Sequence, residues 1–284
     1  MNTVKKPDIL TTRPRGILYM NTKNIIGQIV IGSPGSGKTT YCFMMNKFLL
    51  DLGKHSIVIN LDPGNFQERK IFGVDLCTLI NMNEIVADFH FGPNGSILYC
   101  LEYLEKNLCW LEKKIQFVSS GKTVVFILFD FPGQIELYTH YSTVRNLLKR
   151  FTQQKFNLLG VMLSDFFFFK DYTIRQLLHL SNLMMMLNIE LPFLHLLNKV
   201  DLFYFKKVRN KNFDKVLESV VFIKNVFLKK NSFLWSMKII LKLKVLLEDF
   251  IQIKPYPLYL NDTSCLKKII EKIGSIFGPV ISNF

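Results

Sequence analysis

Three features of this sequence predict a three-layer α/β fold around a mostly parallel sheet. Six apolar, β-prone runs alternate with helical segments, a glycine-rich loop joins the first run to the first helix, and carboxylates stand at the ends of several runs. Parallel strands joined by crossover helices are buried on both faces, so their runs read as continuously apolar. At 284 residues the chain fits one large α/β domain or two small ones, and 49% hydrophobic with 20% charged residues is the composition of a globular protein. No apolar run reaches the roughly 18 residues of a membrane span. The longest, Leu158 to Phe169, is interrupted by Ser164 and Asp165 and reads as a central strand.

Residues 1–24 form a basic extension, expected to be disordered, with no signal-peptide apolar core. The first strand, around Gln28-Ile29-Val30-Ile31, runs into Gly32-Ser33-Pro34-Gly35-Ser36-Gly37-Lys38-Thr39, and the residues from Thr40 onward open a helix. The spacing G-x-x-x-x-G-K-[ST] between strand and helix is a phosphate-binding loop. Backbone N–H groups of Gly35, Ser36, Gly37 and the helix start, with Thr40, converge on one anion. Lys38 is placed for the β- and γ-phosphates, and the Thr39 hydroxyl for Mg²⁺. The expected architecture is therefore a P-loop NTPase fold with helical insertions, occupying residues 25–284.

The second strand, Ser56–Asp62, ends in Asp62-Pro63-Gly64. Asp62 stands where ligands bind in such sheets and could serve a metal-bound or attacking water; as an Asx cap of the Pro-Gly turn it would serve structure alone. A helical or irregular stretch leads to about Asp88. Next comes the stiff loop Phe91-Gly92-Pro93-Asn94-Gly95-Ser96, with Ser96 expected to cap the following helix. That helix carries a stripe of Ile97, Leu101, Leu104, Leu108, Leu111, Ile115 and Val118, readable as core or as a dimer seam. The insertion spans about 88–118.

The run Thr123–Asp130 continues into Phe131-Pro132-Gly133-Gln134. Asp130 at the strand tip would hold Mg²⁺ through water, the Gly133 N–H would meet the γ-phosphate, and Gln134 would orient a water. A helix over about 136–155, a strand at 158–163 and a helix over about 171–189 follow. The next strand ends in Asn198-Lys199-Val200-Asp201. Asp201 can accept hydrogen bonds from guanine N1–H and its amine, Asn198 can meet the other edge, and the Lys199 stem can lie over the ring. Matched hydrogen bonds of this kind reject adenine, because the wrong base leaves buried groups unpaired. Residues 203–250 read as helical and basic, Pro255–Asn261 as the last strand, and Ser264 as the cap of a closing helix stopped by Gly274.

The net charge is +14. Residues 203–254 hold twelve Lys/Arg against four acids, whereas residues 25–202 hold sixteen against fifteen. Contact with nucleic acid or an acidic partner is one reading of the basic region, and solvated lysines on helix faces the other. The second is preferred because no nucleic-acid module accompanies the charge. The five cysteines, Cys42, Cys77, Cys100, Cys109 and Cys265, form no C-x-x-C pair, so reduced thiols in a cytosolic or nuclear compartment are expected.

The triplet Gly92-Pro93-Asn94, with GSPGSGKTT, NLDPG, GPNGSILYCLEYLEKNLCWLE, DFPGQIELYTH and ELPFLHLLNKVDL in that order, makes the chain resemble the GPN-loop GTPases of the SIMIBI class. The likeness runs from about Gly27 to Asp201 and more loosely beyond, and is strongest to the second eukaryotic type. It implies a Mg²⁺-dependent GTPase, paired with a second copy or a paralogue, in which Asn94 of one subunit reaches the phosphates of its partner's nucleotide. By the residues alone, Asn94 is a turn residue. The resemblance also implies a cytoplasmic, nucleus-shuttling role in assembly and nuclear import of RNA polymerase II and related polymerases, with polymerase subunits or assembly factors as partners. No membrane association and no direct nucleic-acid binding are expected. Phe131 stands where the family usually has Cys or another small residue, and Ser164-Asp165-Phe166 replaces its usual Val-Asp-Ser. A GTP-dependent scaffold without hydrolysis and an ATPase of the same structural class are the rival expectations.

Overall fold

The first strand, β1 (Asn24–Gly32), is apolar on both faces: Ile25, Ile29 and Ile31 enter one core, Ile26 and Val30 the other. The computed structural model describes residues 24–65, 72–121, 124–169, 172–200, 255–260 and 262–277. The extension before Asn24, Asp201, the basic region 203–250 and Asn261 lie outside the described residues.

After β1 come α1 (Lys38–Asp51), β2 (Ser56–Asn60), β3 (Val74–Asp75), α2 (Met82–Phe89), α3 (Pro93–Lys106), α4 (Leu108–Ser119) and β4 (Val124–Asp130). The second half holds α5 (Glu136–Thr139), α6 (Thr143–Gln153), β5 (Asn157–Asp165), α7 (Phe166–Phe169), α8 (Tyr172–Ile189), β6 (Phe193–Asn198), β7 (Tyr256–Pro257) and α9 (Thr263–Phe277). Among the described residues the sheet has seven strands in the order β3-β2-β4-β1-β5-β6-β7, every pair parallel. From β1 the chain crosses to β2, adds β3 outside it and returns to place β4 between β2 and β1, then builds outward on the other side through β5, β6 and β7. The direction therefore reverses at β1, and in such sheets ligands bind beyond the carboxyl end of the strand at this switch point.

Two cores hold the three layers together. Tyr41, Met45 and Leu49 of α1 pack with Leu266, Ile269 and Ile273 of α9 on one face. Ile85, Leu104, Leu111, Phe151 and Met185, drawn from α2, α3, α4, α6 and α8, fill the other. The stripe from Ile97 to Ile115 is buried here, and Val118 packs against it. Its apolar side chains therefore belong to this subunit's core and form no dimer seam.

Several local expectations are corrected. The sheet gains β3, anchored by the Gly73 N–H donating to the Val58 carbonyl at 2.9 Å. The 97–118 helix breaks at Asn107, whose side chain donates to the Tyr103 carbonyl at 2.8 Å, and the 136–155 segment breaks between α5 and α6. Ser96 is not a cap. Gly92 is the N-cap residue, Pro93 takes the first helical position, where its fixed φ and missing N–H cost nothing, and the Ser96 hydroxyl donates back to the Gly92 carbonyl at 3.1 Å. At α9 the capping acceptor is Asp262 Oδ1, which takes the Ser264 N–H at 2.8 Å. The helix continues past Gly274 to Phe277 because the buried stripe of Leu266, Ile269, Ile270 and Ile273 outweighs one glycine.

Candidate functional site

Parallel register lines up the strand tips that carry the chemistry. Val30 is opposite Asp130, Asn60 is opposite Asp130, Gly32 is opposite Leu163, and Asp165 is opposite Asn198. The loop after β1 thus lies between the ends of β4 and β5. Gly35 (φ 74°) and Gly37 (φ 93°) take left-handed backbone angles that wrap the loop, and α1 begins directly at Lys38. Ser36 is buried beneath the loop, whereas Gly35 and Thr40 face solvent. The Lys38 ammonium folds back over the loop and donates to the carbonyls of Gly32 at 3.2 Å and Ser33 at 3.3 Å.

Thr39 and Asp130 meet at the centre. The Thr39 hydroxyl donates to Asp130 Oδ2 at 2.7 Å and accepts from Asn65 Nδ2 at 3.1 Å. Asp130 is buried, and among the described residues its second oxygen, Oδ1, has no hydrogen-bond partner. Burial pushes the Asp130 carboxyl up to about 6, the Asp62 charge adds to the rise, and the Thr39 hydroxyl and the Lys38 ammonium oppose it. Burial likewise raises Asp62, against the Gly64 N–H and Lys38, and lowers Lys38, against Asp130 and Asp62. Among the described residues no group of three or more His, Cys, Asp or Glu is arranged to hold a metal. An unpartnered buried carboxylate oxygen beside a hydroxyl nonetheless fits a hard cation. Mg²⁺ takes one or two protein oxygens and leaves its other positions to water and phosphate.

The loop after β4 closes over this pair. A Cβ on Gly133 would lie 2.8 Å from Lys38 Nζ and 2.8 Å from the Pro34 nitrogen, so this position is limited to glycine. The Tyr138 hydroxyl donates to the Pro132 carbonyl, and Phe131 is fully buried with its ring edge-on to Tyr138, so this larger side chain is accommodated under the loop. Gln134 presents a buried Oε1 without a hydrogen-bond partner among the described residues, an acceptor suited to a water molecule. Asp62 adopts its Asx role: Oδ1 accepts the Gly64 N–H at 2.9 Å. Its placement follows from Asn60, whose Oδ1 accepts the Asp62 N–H at 3.0 Å while its Nδ2 donates to Asp75 Oδ1 at 2.9 Å.

Asn198 does something the motif did not suggest. Its Nδ2 donates to the Ser36 carbonyl at 2.8 Å and its Oδ1 accepts the Lys199 N–H at 2.8 Å, so the carboxamide clamps the β6 end to the phosphate loop. A Cβ on Gly37 would come within 2.3 Å of that Nδ2, which gives this glycine a second reason to be there. Lys199 follows directly on β6 with φ 59°, and Asp201 lies outside the described residues. The structure thus gathers Lys38, Thr39, Asp62, Asp130, Gly133, Gln134 and Asn198 at one end of the sheet. Gly92, Pro93 and Asn94 are exposed at the start of α3, and no hydrogen bond among the described residues ties Asn94 to this group.

Asn60, Asn65, Asp75 and Tyr138 support the site without having carried a signal in the sequence. Only Asn65 could have been found, as the polar residue just beyond Asp62-Pro63-Gly64. Asp75 depends on β3, whose two residues are too short a run to read.

Comparison with known proteins gives an independent view. The family described as "Conserved hypothetical ATP binding protein" matches residues 30–279. GPN-loop GTPase 2 of Danio rerio is 34% identical over 256 residues, covering 89% of this chain and 80% of that protein. The GPN-loop GTPase 2 homolog of Dictyostelium discoideum is 35% identical over 273 residues, covering 90% of this chain and 82% of that protein. Among solved structures, a GTPase in apo form from Pyrococcus abyssi superimposes with a TM-score of 0.67 at 18% identity, covering 89% of this chain and 98% of that one, a likeness of fold.

Proposed function

Because this chain belongs to the GPN-loop GTPase family and is a GTPase, we propose that it works as a Mg²⁺-dependent, dimeric switch whose hydrolytic site is completed by Asn94 of a second subunit. The observation that carries the metal reading is the partly buried Thr39–Asp130 pair, whose Asp130 Oδ1 has no hydrogen-bond partner among the described residues. When bound there, Mg²⁺ would neutralise phosphate charge. Lys38 turns from the loop carbonyls to the phosphates, the Gly133 N–H meets the γ-phosphate, and Gln134, with Asp62 nearby, orients the attacking water. An exposed Asn94 with no tie to its own subunit's site supports a role in trans, at the nucleotide of a second copy or a paralogue.

The choice of base rests on Asn198, Lys199 and Asp201. The description of the matched family names ATP and the relatives are named GTPases, so the base is tested directly. GTP is expected to outcompete ATP on the wild type, and Asp201→Asn to weaken GTP about 10³-fold, roughly what disrupting two hydrogen bonds to a charged group costs at ~1.5–3 kcal/mol each. Equal competition by ATP on the wild type would overturn the guanine reading.

The cellular role follows from the family resemblance: assembly and nuclear import of RNA polymerase II and related polymerases, with polymerase subunits or assembly factors as partners of a cytoplasmic, nucleus-shuttling protein. A pull-down from its own cells with the wild type and with Lys38→Ala tests this. Polymerase subunits are expected with the wild type in a nucleotide-dependent manner, and their absence from both would sink the role.

A further inference from the structure

Asp165 ends β5 directly opposite Asn198 of β6. It has no part in the chemistry described above, yet both of its carboxylate oxygens are engaged. Oδ1 accepts the Phe167 N–H at 2.8 Å and so caps α7, and Oδ2 accepts from the Lys199 ammonium at 2.8 Å. Its side chain is only 15% exposed, so the ion pair is partly shielded from water. Lys199 is therefore pinned at two points. Its backbone, in the left-handed region at φ 59°, is held by the Asn198 side chain at 2.8 Å, and its charged end is held by Asp165. Between these two points the four-carbon stem has little freedom left. One residue back along β5, the buried Ser164 hydroxyl meets His195 Nε2 of β6 at 2.9 Å, so a second side-chain bond ties the same two strand ends together.

We propose that Asp165 is a positioning residue for nucleotide selection, holding the Lys199 side chain so that its apolar stem covers the face of a bound purine without Asp165 itself touching the nucleotide. The inference rests on the reading that Asn198, Lys199 and Asp201 receive the guanine. The opposing view is that Asp165 only caps α7 and carries an incidental ion pair. The two views separate because Asn caps helices as well as Asp does but brings no charge to Lys199.

The test is a double-mutant cycle on the full chain, with fluorescent N-methylanthraniloyl GDP and ADP as probes. Asp165→Asn is expected to weaken GDP-analogue binding about three- to tenfold, the range of a partly shielded charged contact, and to raise KM for GTP with kcat unchanged. Lys199→Met, which keeps an unbranched stem but loses the ammonium, is expected to lose affinity by a similar factor, and Asp165→Asn added to it to cost nothing more. Asp165→Ser supplies a second uncharged cap should the Asn variant fail to fold, and thermal unfolding verifies that either variant is folded. Wild-type affinity in a folded Asp165 variant, or losses that multiply in the double variant, would overturn the inference while leaving the guanine reading intact. Equal binding of the two analogues by the wild type would overturn both.

Discussion

Replacing Asp130 by Asn probes the electrostatic strain at the centre of the site. Asp130 is 1% exposed, and its carboxyl is displaced from an ordinary value near 3.8 to about 6, chiefly by burial. The folded state therefore holds this proton more tightly than the unfolded chain does. Stability from this group is greatest below about pH 4, falls as the pH rises towards 6, and settles above that at a constant penalty. At ~1.4 kcal/mol per tenfold change in proton affinity, the penalty at pH 7.5 is about 3 kcal/mol, or roughly 6–12 °C in melting temperature for a domain of this size. Asp62, also raised by burial, adds a smaller slope of the same sign. In Asp130→Asn the Thr39 hydroxyl keeps an acceptor, while a buried amide N–H without a partner costs ~1–3 kcal/mol at every pH. The assay is urea denaturation of nucleotide- and metal-free protein from pH 4 to 8. The wild type should lose about 2.4 kcal/mol relative to the variant as the pH rises from 4 to 8, the rest of the penalty having set in below pH 4. An unchanged difference between the two proteins from pH 4 to 8 would refute the assignment. In the wild type, Mg²⁺ binding should weaken below pH 6, where protonation competes for the same oxygen.

Further outcomes follow from the same geometry. Gly37→Ala combines a φ of 93° with a Cβ 2.3 Å from Asn198 Nδ2, so it should reduce GDP affinity by calorimetry more than about tenfold and stability by ~1–3 kcal/mol. Gln134→Leu removes the unpartnered acceptor at the γ-phosphate loop; single-turnover hydrolysis should fall about a hundredfold while GTP affinity changes less than about twofold. Wild-type turnover in that variant would remove Gln134 from the reaction.

The parts of this molecule that could be read in advance are those written in contiguous residues. The loop Gly32–Thr39 is legible because strand, glycines and helix start adjoin one another, and Asp130 because it ends a seven-residue buried strand. The register of parallel strands, by contrast, joins residues far apart in sequence. Asp165 and Lys199 meet across 34 positions, and Asn198 reaches Ser36 across 162, so neither contact has a local signature. The break at Asn107 falls inside an apolar stripe that continues on both sides of it, so the stripe by itself reads as one helix. The Ser96 expectation failed for a related reason. Two capping chemistries stood within four residues of each other, and Pro93 at the first helical position prevailed.

The central claim, a GTPase site completed by a second subunit, is tested most directly by mixing two inactive variants. Lys38→Ala removes the phosphate-binding lysine and Asn94→Ala removes the residue offered to the partner. Each alone should hydrolyse GTP slowly in single turnover, with Asn94→Ala retaining GTP affinity. An equal mixture forms mixed dimers with one intact site, so recovery to about a quarter of the wild-type rate is expected. Turnover by Asn94→Ala alone at the wild-type rate, or no recovery from a mixture in which mixed dimers are present, would contradict it.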